Sequence, residues 1–151
     1  MSHQFSTFSL SLVVMILIGL GTSAQAQHRL RMTRVKLCYW NEVNQIWSDW
    51  PEEWTYFERG HEPVVKFTQL DSKGEYFLIE TWVGEDYSSF RMTSNGYNST
   101  KEWFEYQDAT GDEITISGAN MSDLAASGWP QGKTVEIYFW IYSDKVGMVM
   151  I

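Results

Sequence analysis

Glu136, Tyr138, Trp140 and Tyr142 occupy alternate positions of one stretch, which puts a carboxylate and three aromatic rings on one side of an extended strand, about 7 Å from one to the next. Flat rings beside a carboxylate suit a sugar, whose C–H faces stack on aromatic surface while its hydroxyls bond to polar neighbours. Another flat amphipathic molecule would fit the same chemistry. The intervening Val135, Ile137, Phe139 and Ile141 form an aliphatic face suited to a core. Burial of the ladder beneath a loop, the short helix or a barrel interior is the competing reading, because strand aromatics pack well and satisfy their polar tips at a rim.

No residue is assigned a catalytic role. Glu80, Glu105 and Glu136 lie on expected strands, and a pair of them could hydrolyse a glycosidic bond if separated by about 5 or 6.5–9.5 Å. A small glycoside hydrolase is therefore the minor alternative. After residue 26 the only histidines are His28 and His61, so a Ser-His-Asp or Cys-His site would depend on His61. Cys38, the single cysteine, reads as a small buried hydrophobe. The chain has no nucleophile elbow, no glycine-rich dinucleotide or phosphate loop and no paired-cysteine motif, so no cofactor is expected. The stretch Glu58 to Glu62 matches no zinc spacing, and Asp108 to Glu113 reads as an acidic hairpin loop; no metal site is expected.

The segments that must position these residues repeat with a period of two. Aromatic and β-branched runs bounded by Asn, Asp, Gly and Pro predict strands near 34–40, 45–50, 63–70, 75–83, 88–93, 101–107, 113–117, 133–143 and 146–151. Asn95-Gly96 predicts a tight turn, and Ser122 to Ser127, stopped by Gly128 and Pro130, predicts a short helix capped by Ser122. The expected fold is all-β: an antiparallel sandwich or small barrel of about 8–9 short strands with one short helix near 122–127. An outer-membrane barrel fits poorly, because most runs are short and 75–83 is apolar on both faces.

The apolar run from Phe8 to Leu20, followed by Ala24-Gln25-Ala26, predicts a cleavable secretory signal over 1–26. Residues 27–33 then read as a flexible lead-in and 34–151 as one domain, periplasmic or extracellular, with no membrane span. All 19 acidic and 11 basic residues follow residue 26, and the net charge of −8 disfavours nucleic acid. Arg29, Arg31, Arg34 and Lys36 form a basic edge of the kind that deters strand aggregation. The functional expectation is an exported, non-catalytic binding module for carbohydrate or a flat amphipathic molecule. The alternative is an interaction, inhibitor or assembly protein that uses the same face or a sheet edge against a protein partner.

Overall fold

The period-two runs form strands of one antiparallel sheet in a computed structural model that describes residues 26–151. The expected leader falls outside the described residues except for Ala26. The strands are β1 (Gln27–Arg31), β2 (Arg34–Asn41), β3 (Ile46–Trp47), β4 (Thr55–Tyr56), β5 (Val64–Gln69) and β6 (Tyr76–Val83). They continue with β7 (Asp86–Asn98), β8 (Trp103–Gln107), β9 (Glu113–Ser117), β10 (Glu136–Ile141) and β11 (Val146–Met150). The ladder runs β1-β5-β6-β7-β8-β9-β10-β11-β2-β3, and β4 also pairs with β2. Among the described residues no helix is long and apolar enough to cross a membrane.

Expectations about layering, strand number and one turn need correction. The layers of a sandwich are replaced by a single sheet of eleven strands whose end strands do not pair with each other. The two additional strands are β4 and β1; the latter occupies the segment expected to be flexible, and pairs with β5 from Gln27 opposite Thr68 to Arg31 opposite Val64. Asn95-Gly96 makes no hairpin turn, because β7 runs through it with a bulge between Ser94 and Gly96. A bulge takes the same residue types as a tight turn, so local composition did not separate them.

The connectivity forces this sheet to curl. β1 and β2 are joined by Met32 and Thr33 alone, yet lie eight ladder steps apart. Laid flat, those steps would span about 38 Å, whereas the link from Arg31 to Arg34 reaches only about 10 Å. The corner passes the hydrogen bonding from one flank to the other: Met32 N–H donates to Pro63 O at 2.9 Å and Thr33 N–H to Ile151 O at 2.7 Å. Curling also brings Phe90 of β7 and Phe139 of β10 to 6.3 Å across the interior.

The inner face is filled by Phe67, Phe77, Ile79, Ile114, Ile116 and Ile137, all buried, each contributing about 1.5–3 kcal/mol. Helix α1 (Met121–Ser127) adds Met121, Leu124 and Ala125 to this core and packs on β1 and β5. Its cap is Asn120 rather than Ser122: the Asn120 side chain accepts from Asp123 N–H at 2.7 Å. Gly128 ends the helix at φ 73°, and a Cβ there would meet the His28 ring at 2.5 Å, so a glycine is needed both to turn the chain and to admit β1. The tryptophans are absent from the fully buried set. All eight, including Trp129, are half-buried, and the core is built from Ile, Met, Phe, Val and Leu.

Candidate aromatic binding face

Strand alternation puts Glu136, Tyr138 and Trp140 on the outer face of β10, opposite the buried Ile137, Phe139 and Ile141. Register sets what lies beside them. Tyr138 is flanked by Thr115 and Val149, and Trp140 by Glu113 and Gly147. Gly147 in turn pairs with Cys38. A Cβ on Gly147 would stand 3.3 Å from the Trp140 ring and 2.5 Å from Cys38 Sγ, so the bare backbone is the seat on which the indole lies. Trp140 Nε1–H donates to Thr115 Oγ1 at 2.9 Å, which satisfies the indole's only donor. Tyr138 and Trp140 are stacked with an interplanar angle of 5°, and the Tyr138 hydroxyl donates to Glu136 Oε2. Burial, followed by that carboxylate, pushes the Tyr138 phenol above its ordinary range.

Tyr142 does not continue the strand. It begins a 3-10 turn (Tyr142–Asp144), with its ring edge-on to Trp40 at 5.4 Å. The four expected residues therefore share one cluster but not one flat platform.

Residues from distant segments complete the cluster. The β2 to β3 hairpin and the chain that follows it place Trp47 at 5.3 Å from Trp140 and Trp50 at 5.9 Å from Tyr138 and 5.6 Å from Trp140. Trp103 reaches Tyr138 at 5.7 Å from β8, on the other side of β10 in the strand order. The rings are tilted by 52–60° in these three contacts of Tyr138 and Trp50. Trp54 extends the face toward β2, with the Arg34 guanidinium 4.7 Å and the Lys36 ammonium 4.9 Å from its ring. Nothing periodic in the sequence assigns these tryptophans to the face, because the packing of Trp47 and Trp50 on β10 is a tertiary event.

Three carboxylates border the rings. Glu136 is held by Tyr138, and Glu105 accepts from Asn98 Nδ2 at 2.8 Å and Trp103 Nε1 at 3.0 Å. Glu113, which the sequence did not single out, is half-buried beside Trp140; burial and then the Glu105 charge raise it above the usual carboxylate range. Glu80 stands apart on β6, bound by Lys66 at 3.6 Å and the Tyr87 hydroxyl at 2.8 Å. Glu80, Glu105 and Glu136 thus sit on three non-adjacent strands, each already bonded by a protein donor. His61 is exposed, and Asp108 Oδ1 accepts from Thr110 N–H, Thr110 Oγ1 and Asp112 N–H within its own loop. Among the described residues no three His, Cys, Asp or Glu side chains converge as a metal centre requires.

What this face can do chemically is offer indole and phenol surface for stacking, with carboxylates at its edge to accept hydroxyl donors. Comparison with protein-family models, with curated proteins and with solved structures finds no match to this chain.

Proposed function

We propose that this protein is an exported, non-catalytic binding module, periplasmic or extracellular, whose outer aromatic face holds a carbohydrate or another flat amphipathic molecule. The observation that carries the reading is the placement of the tryptophans. Trp40, Trp47, Trp50, Trp103 and Trp140 converge with Tyr138 and Tyr142 outside the sheet, while no tryptophan is among the fully buried residues of the interior and Trp129 alone packs against them from its edge. Half-exposed aromatic surface with a rigid backing is the material of which binding surfaces are made, since such rings bury large area at little conformational cost. Glu136 and Glu105 supply acceptors at the margin, and the stacked pair Tyr138 and Trp140 supplies parallel planes.

The test is intrinsic tryptophan fluorescence of the purified protein titrated with soluble oligosaccharides of neutral and basic sugars. A saturable change that is weakened at least tenfold by Trp50→Ala, at unchanged circular dichroism, is the expected result. No saturation across the panel, together with a stable one-to-one complex with a single protein in pull-downs, would replace this reading by the interaction-protein alternative.

A further inference from the structure

We infer that the interior of the curled sheet, at the end away from α1, is a second binding site that takes a small neutral apolar molecule bearing a hydroxyl. A cavity of about 530 Å³ opens there, within the range of roughly 300–1,000 Å³ used by small-molecule sites. Its floor and walls are Phe90, Phe139, Ile141 and Met148, from β7, β10 and β11. They belong to the inner face, not to the aromatic cluster outside.

The two ends of the interior are filled unequally. At the β5 to β6 turn, Ser122 of α1 lies against Gly74, and the helix side chains occupy the space within. At the β6 to β7 end the inward positions are Thr81 and Ser88, which face each other across the ladder and are too small to meet the opposite wall. Apolar side chains there stay wet: Leu37 is 41%, Tyr39 61% and Val83 48% exposed. Leu37 and Tyr39 pair with the cavity-lining Met148 and Val146, and themselves line a neighbouring groove with Ser48, Trp50 and Pro51. Exposed apolar residues continuous with an unfilled interior are surface that a ligand would cover.

Charge selects the ligand's head. Among the described residues no Lys or Arg lines the cavity, whereas Asp112 and Asp144 do. The Asp112 carboxylate is occupied, accepting from Tyr142 N–H at 3.0 Å and from Ser143 Oγ at 3.2 Å. An anionic head would meet repulsion without a partner. A hydroxyl would find Thr81, Ser88 and Ser143.

The experiment uses N-phenyl-1-naphthylamine, a neutral probe whose emission rises in apolar sites, followed by displacement with 1-decanol or decanoate at pH 7. Expected are one saturable site, displacement by decanol at least tenfold more effective than by decanoate, and at least tenfold weaker probe binding in Thr81→Leu/Ser88→Leu with circular dichroism intact. Should that pair fail to fold, Ser88→Trp at an exposed position makes the same test. Trp140→Ala should leave probe affinity unchanged. Absence of saturable binding, equal displacement by decanoate, indifference to the filling substitutions, or loss of binding in Trp140→Ala would each overturn the proposal. The last outcome would move the probe to the outer face, so the two sites are separable.

Discussion

Trp140 lies across the backbone of Gly147, its cross-strand partner, with no room for a methyl group between the ring and Cys38 Sγ. The glycine is a matter of space, since its backbone is not in the left-handed region. Gly147→Ala should therefore cost about 1–3 kcal/mol in urea unfolding, the usual range for overpacking. The nearest obstacle is the sulfur at 2.5 Å, so Cys38→Ala should recover part of that loss. Equal losses in Gly147→Ala with and without Cys38→Ala would show that the obstruction lies elsewhere.

Trp140→Ala removes a ring packed on Trp47, Trp50, Trp103 and Tyr138 and breaks its bond to Thr115. A fully buried tryptophan costs about 3–5 kcal/mol and a surface one within about 0.5. This ring is half-buried, and about 2–3 kcal/mol is expected by urea denaturation. A loss below about 0.5 kcal/mol would mean that the cluster does not pack as a unit; one near 5 would make it a true core element.

Much of the fold was legible because strands advertise themselves by alternation. Ile114 and Ile116, or Ile137 and Phe139, sit inside as their period required, and each of the nine expected runs overlaps an observed strand. What remained hidden was set by long-range pairing. The run from Gln27 to Arg31 is polar at four of five positions and looks like a tail, yet it finds β5 because Leu30 reaches the core and the backbone completes its ladder. For the site, Glu136, Tyr138 and Trp140 could be placed on one face by counting residues. Trp47, Trp50 and Trp103 could not, since only the strand order, the β2 to β3 pairing and the excursion to Trp50 bring them there.

The Tyr106 hydroxyl accepts from the Met121 N–H at 2.7 Å, tying the first residue of α1 to β8 beneath it. Tyr106→Phe would leave a buried amide without its acceptor, a loss of about 1–3 kcal/mol. The same group carries a pH signature. Burial pushes the phenol up to about 12 from 10.0, so the folded chain keeps this proton to higher pH than the unfolded one. Stability should fall as pH rises from about 10 to about 12, and that slope should be shallower in Tyr106→Phe. Parallel alkaline profiles for the two proteins would contradict the assignment.

Glu113 is raised first by burial beside Trp140 and then by the Glu105 carboxylate. A carboxyl that holds its proton longer in the folded chain imposes its cost in one direction. Below the ordinary carboxylate range both states are protonated and nothing is lost. As pH climbs through that range the unfolded chain ionises first, and stability falls until the folded Glu113 has ionised as well. Glu113→Gln keeps the shape and removes the charge, so it should be the more stable protein at neutral pH, while near pH 3 the two should coincide. Glu105→Gln should reduce the gap without closing it, because the larger cause, burial, remains. Urea titrations at pH 3, 5 and 7 decide the matter: a gap that widens with pH supports this electrostatic account, and one constant across pH would attribute the effect to packing instead.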